Sequence, residues 1–184
     1  MSVFLGWMPD AAAQAAQAAL AGLRERVAAA LPAGAPRHDW RTPAQWHMTL
    51  RYLGERIDTA RRERLEAAMA RFAADAPPAD AAITGPQYWP HARVLVAKID
   101  ASPALKALLK QLEAEAQACG FAKERAQTAH LTLAYLPRGA TPPALVDVGT
   151  DAIPLQVGRI DLLQTVPGAY DTLAAWPMSG AQAA

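Results

Sequence analysis

Two short segments of the chain repeat a pattern of residue types that can carry out acid–base chemistry. HMTL begins at His47 and HLTL begins at His130, so two of the four histidines start the pattern His-x-Thr-Leu. Side chains two residues apart on a β-strand point to the same face of the sheet. We therefore expect His47 to share a face with Thr49, and His130 to share a face with Thr132.

Arg51 directly follows the first segment. By the same alternation, its side chain is predicted to continue the face of His47 and Thr49, while Met48 and Leu50 face a core. Two such strands placed side by side would bring two imidazoles, two hydroxyls and at least one guanidinium to one cleft.

This set of side chains suits phosphoryl chemistry without a metal ion. One neutral imidazole can deprotonate an attacking water while the other, protonated, delivers a proton to the leaving oxygen. Both states coexist near neutral pH because the ordinary pKa of histidine is about 6.5. Hydroxyls and a guanidinium can hold the non-bridging phosphate oxygens as charge increases in the transition state. We predict no metal site, since neither segment has a third ligand or a carboxylate at metal-like spacing.

The composition narrows the class of protein. The chain has 184 residues, 52% of them hydrophobic and 19% charged, so it can bury a sizeable core. Its formal net charge of +1 gives no overall positive field for duplex nucleic acid. A single cysteine, Cys119, excludes an intrachain disulfide. The start MSVFLGWMPD is unlike a secretory signal and no apolar run is long enough to span a membrane, so we expect a cytoplasmic protein, and a monomer.

Apolar periodicity and turn residues predict elements in the order β-α-β-α-β-β-α-β-β-β. The predicted helices are 10–31, 58–74 and 102–120, and the predicted strands are 2–7, 46–54, two within 83–100, 129–136, 153–165 and 170–176. No regular βαβ alternation covers the chain, which indicates an α+β fold with largely antiparallel sheets. Each His-x-Thr-Leu strand lies beside a long helix, so we predict one domain over residues 1–184 made of two similar lobes.

Over nearly its whole length, the chain resembles the 2H phosphoesterase superfamily. Within it, the chain is most similar to the RNA 2′,3′-cyclic phosphodiesterases, also called 2′-5′ RNA ligase-like proteins. The stretches that carry the resemblance are the N-terminal strand and helix, HMTLRYLGE, the helix before Gly120-Phe121, AHLTLAYL, and the ending IDLLQTVPGAYDTLAAWPM. The resemblance implies a bilobed, pseudo-symmetric fold with both motifs facing a central cleft.

The resemblance also implies an activity and roles for individual residues. The activity is hydrolysis of an RNA or nucleoside 2′,3′-cyclic phosphate to a 2′-phosphate, without metal or cofactor. His47 would be the proton donor and His130 the proton acceptor, while Thr49 and Thr132 would bind the phosphate. Partners would be RNA 2′,3′-cyclic phosphate ends or cyclic nucleotides. Some relatives join or open 2′-5′ linkages in RNA.

The second segment departs from many relatives, in which a proline precedes and a basic residue follows the motif. Here Ala129 and Tyr135 occupy these positions. We expect Arg51 or Arg138 to supply the phosphate-binding cation instead. By strand alternation, Tyr135 is predicted to face away from His130, toward the core or the interface between lobes. Two alternatives stay open: a non-catalytic protein that binds RNA ends or nucleotides, and a 2H enzyme for another phosphoester, such as a 2′-5′ linkage.

Other aromatic and basic residues have two interpretations each. The aromatic residues near the first motif or in the Pro-rich connection are expected to pack in the core or anchor loops, although a base could stack on them; they are Trp40, Trp46, Tyr88 and Trp89. Three basic residues are expected on a solvated face, with a weak basic rim for RNA as the alternative; they are Arg41, Lys123 and Arg125.

Overall fold

The computed structural model describes residues 1–9, 13–35, 37–125, 127–145, 148 and 151–179. These form two antiparallel sheets and three helices. The first sheet has the strand order β3-β1-β8-β9, with β1 at Val3–Trp7, β3 at Met48–Gly54, β8 at Arg159–Val166 and β9 at Ala169–Pro177. The second has the order β2-β6-β5-β4-β7, with β2 at Asp39–Trp40, β4 at Ala79–Trp89, β5 at Val94–Ala101, β6 at His130–Tyr135 and β7 at Ile153–Val157.

The predicted α+β class with antiparallel sheets is confirmed. One predicted strand, 153–165, is instead two strands in different sheets, since the chain passes from β7 to β8 at Gly158. The two-residue strand β2 was not predicted, because so short a segment carries no periodicity. The predicted helix start at residue 10 lies outside the described residues, within which the first helix is α1, Gln14–Ala29.

The other helices, α2 at Thr59–Asp75 and α3 at Pro103–Ala118, begin at capping side chains. The Asp58 carboxylate accepts from the Arg61 backbone N–H at 2.9 Å. The Ser102 hydroxyl accepts from the Leu105 N–H at 3.1 Å, as its N-cap position predicts. After α3 the chain turns at Gly120, whose φ of 90° suits a residue without a side chain.

The helices cover the outer faces of the two sheets. α2 packs on β8 and β9, whereas α1 packs on β4 and β7. α3 packs on β4 and β5 of the second sheet and also on β3 of the first. It therefore links the two sheets on one side of the molecule. In the described part of the chain, no helix combines the length and the apolar character that crossing a membrane requires.

Candidate active site

The two motif histidines come from different sheets. His47 immediately precedes β3 of the first sheet, and His130 is the first residue of β6 in the second. Nδ1 of His47 lies 3.1 Å from the carbonyl oxygen of Gln45, and Nδ1 of His130 lies 2.8 Å from that of Thr128. A carbonyl oxygen only accepts, so Nδ1 carries a proton in both rings. In each ring Nε2 is left as the nitrogen that gains or loses a proton.

The two imidazoles are close enough to influence each other. Burial lowers the pKa of both, and the Gln45 and Thr128 hydrogen bonds partly oppose this. For His47, the charge of His130 lowers the pKa further. The two rings are therefore close to each other, consistent with the contact between β3 and β6, and a second proton on the pair is disfavoured. The surface that both rings border is here called the groove.

Aromatic rings hold each imidazole in place. The His47 ring centroid is 5.0 Å from that of Phe4 and 4.4 Å from that of Tyr170. The His130 ring is 4.5 Å from Trp89. These contacts provide the apolar surroundings that lower the pKa of both histidines.

Each motif strand has a β-bulge at its leucine. In the first sheet Thr49 pairs with Gly6 but Arg51 pairs with Leu5, so Leu50 is an extra residue on β3. The second sheet repeats this arrangement. There Thr132 pairs with Val96 and Ala134 with Leu95, so Leu133 is the extra residue on β6. A bulge of this kind inverts the alternation of side chains beyond it.

The inversion changes which residues share the face of the histidines. Tyr52 pairs with Phe4, whose ring contacts His47, so this tyrosine belongs to the groove face. On the other strand Tyr135 joins His130 in the same way, and it is 45% exposed. The prediction that Tyr135 faces a core or interface is therefore wrong, because simple alternation does not continue past the bulge.

Arg51 lies on the opposite face from the one predicted. It is buried and forms ion pairs with Glu113 of α3 and with Glu124, the latter at 3.0 Å. It also donates to the backbone carbonyl oxygens of Tyr52 and Ala122. Two carboxylates neutralise this guanidinium. It therefore connects β3 to α3 and to the segment that follows this helix, and it does not extend the polar face of the first motif.

The remaining predicted phosphate contacts have different surroundings. The Thr49 and Thr132 side chains are half-buried on the groove face, and neither hydroxyl has a hydrogen-bond partner among the described residues. Arg138 is exposed in the loop after β6, and within the same part of the chain it forms no ion pair. Lys123 and Arg125 line a cavity of about 400 Å³ that also borders Thr49.

The structure places Arg41 at the groove and not on the solvated face expected for it, and it adds Tyr170, which sequence reasoning missed. The guanidinium carbon of Arg41 lies 4.9 Å from the Tyr135 ring centroid, and its charge also lowers the pKa of His47. Burial raises the pKa of Tyr170, Tyr135 raises it further, and Arg41 opposes this shift. These residues are thus neighbours in one groove. The sequence held one overlooked signal, since both motifs continue to a tyrosine, as HMTLRY and HLTLAY.

Of the aromatic residues singled out in the sequence, some pack in the core and one lies at the groove. Trp46 is almost fully buried in the core, as expected. Trp40 packs against the core and lies under the Arg24 guanidinium. Trp89, however, is placed against His130 at the groove. Among the described residues, no group of three or more His, Cys, Asp or Glu side chains is arranged to hold a metal ion.

The family comparison matches most of the chain. Residues 36–169, which include both motifs, match the model of the 2′-5′ RNA ligase superfamily. No curated protein sequence matches the chain significantly.

Solved structures share the fold over its full length. A protein of Thermus thermophilus aligns with a TM-score of 0.75 at 23% identity, over 99% of this chain and 100% of that one. Escherichia coli LigT in complex with 3′-AMP aligns with a TM-score of 0.67 at 19% identity, over 97% and 98% of the two chains. The LigT complex with NADP+ aligns with a TM-score of 0.68 at 17% identity, over 96% and 97%.

Proposed function

Because the chain belongs to the 2′-5′ RNA ligase superfamily, we propose that it is a phosphodiesterase that opens the 2′,3′-cyclic phosphate of RNA ends or nucleosides to a 2′-phosphate. One observation carries this proposal. Two imidazoles, His47 and His130, enter one groove from two sheets, and each is fixed through Nδ1 to a backbone carbonyl. Each therefore offers Nε2 for proton transfer, as a two-histidine acid–base mechanism requires.

The reaction follows from these positions. Nε2 of neutral His130 takes a proton from water, whose oxygen attacks the phosphorus. The bond from phosphorus to O3′ breaks, and Nε2–H of protonated His47 gives its proton to O3′. The products are a 2′-phosphate and a free 3′-hydroxyl. Thr49 and Thr132, whose hydroxyls have no partner in the described part of the chain, donate to the non-bridging oxygens.

The substrate's own charge supports these roles. In the free protein, burial, His130 and Arg41 each lower the pKa of His47, which disfavours a proton donor. A bound phosphodiester carries a negative charge that offsets the charge of Arg41, so it raises the pKa of His47 again. His47 is thus expected to take up its proton together with the substrate.

The ligands of a structural relative are consistent with this substrate class. E. coli LigT has been crystallised with 3′-AMP and with NADP+. The first ligand carries a phosphate on the ribose 3′-oxygen and the second carries one on a ribose 2′-oxygen. These are the two oxygens that a 2′,3′-cyclic phosphate joins.

The test is hydrolysis of a nucleoside 2′,3′-cyclic phosphate in EDTA, with the product identified by chromatography. Wild type is expected to form only the 2′-phosphate, and both His47→Ala and His130→Ala should lose most turnover. Unchanged turnover in the two variants, or formation of a 3′-phosphate, would contradict the proposal. Tight binding of the cyclic nucleotide without turnover would favour a binding protein instead.

The matching family description favours a second candidate, cleavage or formation of 2′-5′ linkages. The same two imidazoles would serve, with a ribose hydroxyl in place of water. Incubation with matched 2′-5′ and 3′-5′ dinucleotides separates the two candidates. Cleavage of the 2′-5′ isomer alone, at a rate above that for the cyclic phosphate, would make this second activity the principal one.

A further inference from the structure

We propose that Arg41, held against Tyr135, is the phosphate-binding cation of the groove and takes the place of a basic residue after the second motif. This inference rests on the proposed phosphodiesterase function and assigns one part of it. Both expected sources of that charge, Arg51 and Arg138, are unsuited to the task. The first is neutralised by two glutamates, and the second is exposed in a loop.

The backbone places Arg41 beside the second motif. Its N–H donates to the carbonyl oxygen of Leu133, the bulged residue of β6, at 2.8 Å. The two preceding residues, Asp39 and Trp40, form strand β2, which pairs with Tyr135 and Ala134. The short strand therefore delivers an arginine to the edge of β6 from a distant part of the chain.

The bulge then provides a surface for the guanidinium. Because alternation inverts at Leu133, the Tyr135 ring lies on the groove face with His130 and Thr132. The guanidinium carbon of Arg41 is 4.9 Å from the centroid of this ring. At that distance an arginine is attracted by the negative face of an aromatic ring, which fixes its orientation. Tyrosine at this position thus orients a cation from another strand.

The guanidinium retains hydrogen-bonding capacity. Its side chain is 17% exposed, and one Nη atom is paired with the carboxylate of Asp39, which is 66% exposed. Nε of Arg41 is buried and has no hydrogen-bond partner among the residues that the structure describes. A buried donor of a charged group without a partner is costly, and a phosphate oxygen would satisfy it.

The charge of Arg41 also reaches the reacting groups. It acts on both His47 and Tyr170, which flank the groove from the first sheet. The guanidinium is therefore near enough to His47 to act on a phosphate bound beside that ring. Lys98, which pairs with His130 across the ladder, is another cation on this face, and it is exposed to solvent.

The experiment compares Arg41→Gln with Arg138→Gln and Lys98→Gln, using Arg56→Gln, an exposed position beyond β3, as the matched control. For Arg41→Gln, kcat/KM on a nucleoside 2′,3′-cyclic phosphate should fall about 100-fold, the loss typical of removing one transition-state donor. Affinity for inorganic phosphate, followed by NMR of the histidine rings, should fall about tenfold. Arg138→Gln and Lys98→Gln should each change both quantities less than threefold.

A role in structure alone would not alter the titration of His47. Since Arg41 lowers the pKa of His47 in the free protein, Arg41→Gln should raise that pKa and leave that of His130 nearly unchanged. Tyr135→Leu should weaken phosphate binding while the charge of Arg41 is still present.

Several outcomes overturn the inference. These are a loss below threefold for Arg41→Gln in phosphate affinity, a larger loss for Lys98→Gln or Arg138→Gln, or an unchanged His47 titration. Phosphate binding is measured without turnover. If wild type hydrolyses no cyclic phosphate, the proposed function fails. The measured affinity for inorganic phosphate would still decide whether Arg41 is the anion-binding group.

Discussion

The two motif strands have the same backbone but different surroundings. At the start of β3 and of β6, an imidazole is hydrogen-bonded to the carbonyl oxygen of the residue two positions before it. A threonine follows on the same face, and a bulge at leucine brings a tyrosine to that face. The residue between the leucine and the tyrosine differs. On β3 it is Arg51, which is buried and forms two ion pairs, whereas on β6 it is Ala134, a small core residue. The comparison shows that the repeated pattern defines how the histidines are presented, while neighbouring segments distinguish their roles.

The environments of the two rings differ in charge and in packing. His47 is enclosed by Phe4 and Tyr170, and its pKa is lowered by burial, by any charge on His130 and by the charge of Arg41. For His130 the aromatic contact is Trp89. A proton is therefore harder to place on His47 until a phosphate enters, whereas His130 depends less on its neighbours' charges.

The largest expected effect comes from removing each imidazole in turn. His47→Ala and His130→Ala should each reduce kcat about 1,000-fold, within the range for general acid or base catalysis. A cyclic substrate with sulfur in place of O3′ distinguishes the two histidines, because a thiolate can leave without receiving a proton from a donor.

On this sulfur substrate, His47→Ala should recover most of its loss and His130→Ala should recover little. Rates are measured by single turnover on the oxygen and sulfur substrates with wild type as reference. Recovery of His130→Ala instead would exchange the donor and acceptor roles.

A second effect tests the difference between Arg51 and Ala134. Arg51→Met leaves Glu113 and Glu124 without their shared cation, which should lower the free energy of unfolding by about 3 kcal/mol. Urea denaturation measures this change. The triple variant with Glu113→Gln and Glu124→Gln should regain much of the loss, since no uncompensated carboxylate remains. If Arg51→Met instead lowered phosphate affinity without lowering stability, Arg51 would belong to the phosphate-binding site.

A third effect is specific to the first strand. A Cβ at Gly6 would lie 2.9 Å from Leu163 Cδ1 and 3.0 Å from Phe4 Cε2, so Gly6→Ala must displace the ring that supports His47. We expect a loss of about 2 kcal/mol in the free energy of unfolding, typical of overpacking, together with a lower kcat. Gly158→Ala, with no atom within 4 Å of the added carbon, is the control. Equal effects at both glycines would show that Phe4 does not position His47.

The smallest effect concerns pH. Burial disfavours the charged imidazole, so removing a covering ring should raise the pKa of the histidine beneath it. Tyr170→Leu should raise the pKa of His47 alone, and Trp89→Leu that of His130 alone. NMR titration of the histidine rings measures both shifts, and a common shift in either variant would mean that the two rings share one environment.

The sequence predicted the part of the site that lies within regular strands. Alternation places His47 and Thr49 on one face, and the same rule holds for His130 and Thr132. The alternation rule fails one residue after each threonine, because a bulge depends on how two strands pair and not on the residue types of a single strand. Leu50 looks like any core leucine in the sequence.

Residues from distant segments could not be predicted as neighbours of the motifs. Phe4, Arg41 and Tyr170 reach the groove only through the pairing of β1, β2 and β9 with other strands. The split of 153–165 into β7 and β8 has the same cause, although Gly158 marked the place. The pairing of distant strands determines each of these arrangements, and the periodicity of a single segment carries no information about that pairing.

Strand β1 has a consequence for the order in which the protein folds. It is flanked by β3 and β8, and Phe4 pairs with Leu163, almost the whole length of the chain away. Forming such a pair requires closing a very long loop, which slows folding relative to local contacts. The helices and the β4–β5 hairpin can therefore form early, while the ring that supports His47 reaches its final position only when the two ends of the chain meet. Refolding followed by recovery of activity should lag behind recovery of helical signal.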